Sequence, residues 1–480
     1  MKLLHCLHEG QETYVEYYIE VESNEFIHTK EQIQAEGWNL LEEHTIASNT
    51  FATFSKGEDA IFVSFYPELK EMQKITEPKS TYLNYKDEAK EQTFPVLLRQ
   101  IDLSDFGLSY VIRISDGRLI VFDGGFPYEE DVDKLMSTMC EFSEGEKPQI
   151  AAWIMSHPHI DHYQSYLVFH EKYKDEVTIE KFIYNFPGTS EEDCEAYPAI
   201  AKEKEYIRID EFNQKVEEIG CPVYRAHTGQ IYQLGDVRLE ILSSPDHTLM
   251  QGLNELNSIS LMMKMEIAGQ TIFWGMDGQF KKSKLVERYG SYLKSDILQI
   301  PHHSFSGGTK EGYALIDPTV CLLPGFEQVS YGWHSIRREE NHYLISELHV
   351  QDYLAGGRGD ITIELPYTPR ENGKALLFHR VQEEQKRMGS KSWIFMDLSK
   401  EETEFSILNM SVKDVEVNIE LFFEEANMLI RFLKVKAGKR CVTRMNLAEL
   451  AEIQESGFTA YFFSDWPVVI KGAKAADYIG

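Results

Sequence analysis

Apolar and polar positions change their period along the chain, and the changes divide it into three stretches. In the first, Tyr14 to Val21 is rich in β-forming residues. Asn49–Ser55 and Asp59–Tyr66 flank Lys56-Gly57-Glu58, the pattern of a hairpin. Between them, Thr29 to Gly37 predicts a short helix closed by its glycine. From Thr76 to Thr93 the chain turns polar and charged around Glu77-Pro78-Lys79-Ser80, which predicts a linker. Residues 1–95 are therefore expected to form a small α+β accessory domain.

The second stretch, residues 96–371, mixes both periods. Tyr110–Ser115 and Arg118–Phe122 read as two strands around Asp116-Gly117, leading into Asp123-Gly124-Gly125. Tyr128 to Phe142 predicts an amphipathic helix, with Val132, Leu135, Met136 and Met139 on one stripe. Ile150–Met155 is an unbroken apolar run, the signature of a buried strand, and Tyr163 to Lys174 is helical again. Glu211 to Ile219 predicts a helix ending at Gly220. Further strands are expected at Val237–Leu242, Leu261–Glu266, Thr271–Trp274, Asp296–Ile300, Pro318–Leu323 and Ile361–Leu365, with a helix at about residues 281–293. Alternating strands and helices point to an α/β architecture whose functional groups gather at the C-terminal ends of strands.

In the third stretch, residues 372–480, Val415, Val417, Ile419 and Leu421 alternate, as do residues 428–435, and Tyr461 to Ile470 is apolar. Asn446 to Glu455 reads as a helix. A mostly β accessory domain is expected.

Candidate chemistry concentrates where the predicted strands end. The densest cluster is Ser156-His157-Pro158-His159-Ile160-Asp161-His162, with three histidines and an aspartate spaced His-x-His-x-Asp-His. Imidazoles crowded on one loop repel if protonated and waste apolar volume if neutral. A divalent cation removes both costs, because neutral imidazole and carboxylate are its usual ligands. His157 and His159, two residues apart in extended chain, point the same way, while Asp161 and His162 follow at the turn and can face a second ion. Four more strand ends carry suitable groups: Asp123, His247 in Ser244-Pro245-Asp246-His247-Thr248, Asp277 in Gly275-Met276-Asp277, and the pair His302-His303. Each alone reads equally well as a turn or capping residue.

In this order they resemble the metallo-β-lactamase-fold hydrolases. That family's motifs run from an aspartate after a strand (here Asp123) through the His-x-His-x-Asp-His cluster and a Thr-Pro-Gly-His-Thr histidine (here His247). They end on a strand-closing aspartate (here Asp277) and a late histidine (His302 or His303). Within that superfamily the chain is more similar to the hydrolase domain of ComEC, the DNA-uptake channel protein, and its soluble relatives. Asn257-Ser258-Ile259-Ser260-Leu261, Ile300-Pro301-His302-His303-Ser304, Asp317-Pro318 and Tyr331-Gly332-Trp333-His334 carry that similarity. The chain departs from the pattern in the extra residue between Gly275 and Asp277 and in Ser304, where glycine is usual.

The resemblance implies an αββα sandwich with a dinuclear site on one edge. His157 and His159, with His247, would hold one ion; Asp161, His162 and His302 or His303 would hold the other; Asp277 would bridge them. Asp123 would steady the histidine loop by hydrogen bonding. Two cations would lower the pKa of a shared water to about 7, and the bridging hydroxide would attack carbon or phosphorus. Asp161 and His334 are the candidate catalytic groups, His334 against the leaving oxygen or phosphate. Ligation without thiolate suits zinc first, with manganese or iron as alternatives. A phosphodiester substrate, a nucleotide or short nucleic acid, is expected. The alternatives are a small carboxylic ester, lactone or amide, and a non-catalytic protein with a degenerate metal site.

Charge narrows the partners. Of the 480 residues 26% are charged, and the net charge is −30. That argues against a broad nucleic-acid-binding face, since phosphate affinity rests on clustered Lys and Arg. Cys6, Cys140, Cys194, Cys221, Cys321 and Cys441 are dispersed and read as reduced thiols. With no apolar run of about 20 residues and an N-terminal apolar stretch too short for a leader, a cytoplasmic protein without membrane partners is expected. The flanking domains are the places for a protein partner.

Overall fold

The computed structural model describes all residues except 10–12, 80–84, 88–92, 106, 197, 204–206, 246–254, 325–338, 358, 374–391, 400, 413, 424–430, 452–456, 465–467 and 473–480. The chain divides into two compact units, Met1–Lys374 and Ala375–Gly480.

The centre of the first unit is a pair of facing sheets. One runs, edge to edge, Val223–Arg225, Phe182–Tyr184, Gln149–Ile154, Leu119–Asp123, Ser109–Arg113, Val96–Gln100 and Ile361–Leu365, with Thr178–Ile179 beside Gln149–Ile154. The other runs Asp352–Ala355, Val320–Leu323, Ile297–Gln299, Gln270–Trp274, Met262–Ile267, Val237–Ser243, Ile231–Leu234 and Tyr85–Lys86. The strand Leu119–Asp123 shows why they stack. All five of its residues are buried, and successive side chains point to opposite faces. Ile120 and Phe122 turn inward to meet Ile272, Trp274 and Met265 of the facing sheet. Phe122 stacks on Trp274 with ring centroids 4.5 Å apart. Leu119 and Val121 turn outward, into a core shared with Leu135, Met139, Tyr166 and Phe212. Those residues come from helices Glu129–Phe142, Ser165–Tyr173 and Ile209–Ile219. A strand buried on both faces needs an unbroken apolar run, which is how it reads in the sequence. Each large side chain so buried contributes about 1.5–3 kcal/mol. Behind the second sheet, Phe273 meets Phe280, which meets Tyr313 of helix Lys310–Ile316. The four layers are the αββα sandwich expected.

Leu119–Asp123 and Gln149–Ile154 pair in parallel, and helix Glu129–Phe142 makes the crossover a parallel pair requires. Gln270–Trp274 and Ile297–Gln299 are parallel as well. Four strand ends therefore open on one edge.

Residues 1–95 lie within the first unit. They form a six-stranded antiparallel sheet in the order Lys2–Glu9, Thr13–Ile19, Glu71–Pro78, Asp59–Tyr66, Asn49–Lys56 and Asn39–Ile46. The helix there is Ser23–Ala35, starting earlier than Thr29. A capping box between Glu22 and Glu25 nucleates it, and Phe26 anchors it by stacking on Phe65 at 5.0 Å. Asn49 Nδ2 donates to the Arg288 carbonyl at 2.8 Å, and His227 Nε2 meets Glu77 Oε1 at 3.0 Å, joining this sheet to the sandwich.

Two expectations are corrected. Part of the proposed linker is structured: Thr76–Pro78 belong to a strand, and Tyr85–Lys86 extend the second sandwich sheet by pairing with Tyr232 and Gln233. The helix expected at about 281–293 is a short helix, Leu285–Tyr289, and a 3-10 turn, Gly290–Leu293. Lys284 and Gly290 have φ of 50° and 47° and interrupt the helical path.

The second unit is mostly β. One sheet orders Ser392–Ser399, Gly457–Ser464, Val415–Phe423 and Arg431–Ala437; the other Cys441–Asn446, Glu404–Asn409 and Val469–Lys471. Phe395, Phe405, Val417, Ile419, Phe458 and Phe462 share its core. No helix among the described residues is long and apolar enough to cross a membrane.

Candidate metal centre

Asp123 ends one inner strand, the loop 155–162 follows the next, and Asp277 and His302-His303 follow two strands of the facing sheet. The edge of the sandwich thus gathers groups far apart in sequence.

Asp123 sits behind the histidines, fully buried. Its Oδ1 accepts the Ser156 backbone N–H at 2.7 Å, and its Oδ2 accepts the Ser156 hydroxyl at 2.7 Å. His162 Nδ1 lies 2.8 Å from the same Oδ2. A carboxylate only accepts, so His162 carries its proton on Nδ1 there and presents Nε2 to the site. The Ser156 hydroxyl has spent its single proton on Asp123. It therefore accepts from His157 Nδ1, 3.0 Å away, and His157 also presents a bare Nε2. One buried carboxylate sets the tautomer of two imidazoles.

Those nitrogens face two groups of donors. Asp161, His162, Asp277 and His303 offer one atom each, all within 4.8 Å of one another, and His157, His159 and Asp277 form a second such group. Ligands at about 2.0–2.2 Å from a zinc-sized ion in a tetrahedron stand about 3.3–3.6 Å apart. His162 Nε2 lies 3.2 Å from His303 Nε2, 3.4 Å from Asp277 Oδ2 and 3.6 Å from Asp161 Oδ2. His303 Nε2 lies 3.0 Å from Asp161 Oδ2 and 3.4 Å from Asp277 Oδ2. In the second group His157 Nε2 is 2.9 Å from His159 Nδ1 and 3.9 Å from Asp277 Oδ2. Asp277 Oδ1 is buried without a hydrogen-bond partner. An orphaned buried carboxylate oxygen is costly, and a cation would satisfy it. The residues present fit divalent metal binding.

Charge tells the same story. Burial disfavours a charged His162, but Asp277, Asp161 and Asp123 outweigh it and hold its pKa well above the usual range. Burial likewise opposes His303, while the carboxylates of Asp277 and Asp161 push it up to about 9. Against the penalty of burial, His303 and His162 hold the Asp277 carboxyl well below its ordinary value. Burial, then the nearby His162 and His159, keep His157 neutral. Without a cation the group of Asp161, His162, Asp277 and His303 thus holds protons among its carboxylates, in the positions a cation competes for.

The backbone is strained where the ligands are. Asp123, Met276, His302, His303 and Ser304 have φ of 48°, 44°, 51°, 49° and 67°, each a cost of about 1–3 kcal/mol for a residue with a side chain. This accounts for both departures from the family pattern. The extra residue, Met276, is absorbed by a left-handed turn. Ser304 occupies a positive φ that glycine adopts without strain. Gly124 has a different reason: a Cβ there would come within 2.1 Å of Ser165 Oγ, in the helix following the histidine loop.

His303, not His302, joins the ligand group. His302 stands at the margin of the site, with Nδ1 2.8 Å from Ser306 Oγ, Nε2 3.1 Å from Asn257 Nδ2 and the same Nε2 3.8 Å from Asp277 Oδ2. His247 and His334 lie outside the described residues. The sequence reading assigned no role to Ser156, Asn257 or Ser260, whose hydroxyl accepts the Asp277 N–H at 3.2 Å. Ser156 adjoins the cluster, but its contact with Asp123 spans thirty-three positions and has no local signal.

Residues 104–241 match the family model described as "Metallo-beta-lactamase superfamily". Over those residues the chain is similar to that superfamily. No curated protein matches the chain. Similar solved structures include human tRNase Z, short form, at 11% identity, covering 47% of this chain and 91% of that one with a TM-score of 0.27. The flavodiiron protein from Giardia intestinalis is 10% identical, covering 65% of this chain and 57% of that one with a TM-score of 0.23. An Anabaena sensory rhodopsin transducer is 16% identical, covering 18% of this chain and 83% of that one with a TM-score of 0.16. The His/Asp cluster has the chemistry and the spacing to hold a divalent metal ion.

Proposed function

We propose that the chain is a divalent-metal-dependent hydrolase of phosphodiesters, acting on a nucleotide or short nucleic acid. The observation that carries the metal chemistry is the pair of donor groups that share Asp277. His157, His159 and Asp277 hold one ion; Asp161, His162, Asp277 and His303 hold the other; Asp123 and Ser156 orient the imidazoles. Zinc suits this imidazole and carboxylate set, with manganese or iron as alternatives. Two divalent ions held by these residues would supply polarisation of a substrate oxygen and a water whose pKa is lowered to about 7.

The protein's own part is positioning. His157, His162, Asp277 and His303 are buried, whereas His159, Asn257 and His302 are half-buried. The substrate enters past that rim. Asp161, between rim and core, is the group placed to take up a proton, and His334 is proposed to contact the leaving oxygen. The phosphodiester class rests on the similarity of Asn257–Leu261 and Ile300–Ser304 to the ComEC hydrolase domain. The net charge of −30 favours a short substrate over a long nucleic acid. A cytoplasmic site of action, and contact of the flanking regions with a protein partner, complete the reading.

The test is hydrolysis of bis(p-nitrophenyl) phosphate by protein loaded with zinc or manganese. Turnover abolished by chelation and by His157→Ala supports the proposal. Turnover of p-nitrophenyl acetate alone moves the protein to carboxylic esters, and a chain that binds metal but hydrolyses neither overturns the assignment.

A further inference from the structure

Among the described residues, the donor group around His157 and His159 is the smaller of the two. It has three members where the group around His303 has four. Asn257 stands beside it, in the 3-10 turn Leu256–Ile259. Its Oδ1 lies 3.1 Å from His157 Nε2. That nitrogen carries no proton, because the chain from Asp123 through Ser156 has placed the His157 proton on Nδ1. An amide oxygen and a bare imidazole nitrogen, both electron-rich, therefore face each other at 3.1 Å. Such a contact is repulsive unless a cation lies between them.

The amide is placed with Nδ2 3.1 Å from His302 Nε2, and His302 Nδ1 lies 2.8 Å from Ser306 Oγ. With the His302 proton on Nδ1, the amide NH₂ donates to Nε2 and Oδ1 is aimed at the site. The spacing from His157 also matches the 3.3–3.6 Å expected of neighbouring ligands to within a few tenths of an ångström.

We infer that the Asn257 side-chain oxygen is the fourth ligand of the ion held by His157, His159 and Asp277, and that His302 positions it. This rests on the two-ion reading above and deepens it. It gives the adjacent histidines different tasks: His303 binds an ion, and His302 holds the amide that binds the other. It also makes the first position harder than an all-imidazole one, because carbonyl oxygen favours ions such as manganese.

The experiment measures metal content and affinity, not turnover. Wild-type protein, Asn257→Ala, Asn257→Asp and His302→Ala are stripped, titrated with Mn²⁺ and Co²⁺, and followed by equilibrium dialysis with metal analysis and by the Co²⁺ absorption spectrum. Asn257→Ala is expected to bind one of the two ions at least about tenfold more weakly, with an altered spectrum for that ion alone. Asn257→Asp restores binding, because the carboxylate supplies the same oxygen with a charge. His302→Ala weakens the same ion as Asn257→Ala does. If Asn257→Ala binds both ions like wild type, this inference is overturned while the two-ion reading stands. A wild-type chain that takes up no divalent ion overturns both.

Discussion

Replacing Asp123 with asparagine barely changes volume but turns an acceptor into a donor at the one point that sets the histidine tautomers. Oδ2 of Asp123 accepts from the Ser156 hydroxyl at 2.7 Å and from His162 Nδ1 at 2.8 Å, while Oδ1 accepts the Ser156 N–H at 2.7 Å. In Asp123→Asn the amide oxygen keeps the backbone N–H, and the amide NH₂ takes the place of Oδ2. It can donate to His162 only if Nδ1 gives up its proton, and to Ser156 only if the hydroxyl turns its own proton elsewhere. The Ser156 hydroxyl then donates to His157, and both imidazoles move their proton from Nδ1 to Nε2, into the metal site. Asparagine also tolerates the φ of 48° at this position, so the backbone has no reason to refold. Losing the charge on one acceptor costs about 1.5–3 kcal/mol in stability. Metal affinity should fall about 10–100-fold, the usual effect of removing a partner that orients a ligand. Competition against a chromogenic chelator measures the affinity, circular dichroism confirms the fold, and ¹⁵N NMR of the imidazoles reads the tautomers. Wild-type affinity in Asp123→Asn, or Nδ1–H tautomers persisting in it, would refute the tautomer reasoning.

Asp277→Ala removes the residue that the two donor groups share among the described residues, so on the two-ion proposal metal uptake should drop to below one ion per chain by elemental analysis. Ser304→Gly relieves a positive φ of 67° and removes a buried hydroxyl that has no partner. Urea titration should show a gain of about 1 kcal/mol, after the roughly 0.4–1 kcal/mol that glycine costs through the unfolded chain. Asp352 accepts from Tyr367 and from the Arg370 backbone and guanidinium. Against the effect of its burial, these hold its carboxyl below the ordinary range. A depressed folded pKa contributes stability that is present above the unfolded value of about 3.9 and lost as pH falls through the folded one. The stability difference between wild type and Asp352→Asn should therefore be constant near neutrality and shrink only below about pH 4. Denaturant melts at a series of pH values check this, and a difference that shrinks above pH 5 would contradict it.

Local pattern was enough for the strands and helices that build the sandwich, because period-two and period-3.6 burial is written directly into neighbouring residues. Unbroken apolar runs such as Leu119–Phe122 and Ile150–Ile154 announced strands buried on both faces. The His-x-His-x-Asp-His cluster announced metal chemistry, since its ligands are close in sequence. The helix starting at Ser23 and the break at Lys284 were less legible, because a capping box and a left-handed residue act below the scale of hydrophobic periodicity.

Tertiary structure decided what depends on residues distant in sequence. Whether His302 or His303 faces the ligands turns on three successive positive φ values and on what each ring meets, and no pattern of residue types encodes that. The tautomers of His157 and His162 depend on Asp123, more than thirty positions away, reached only because two parallel strands lie side by side. Asn257 becomes a donor to the site only when the facing sheet brings it against a histidine one hundred positions earlier. The chain's own order names the chemical groups; the packing of two sheets at one edge sets their distances, and metal affinity depends on distance.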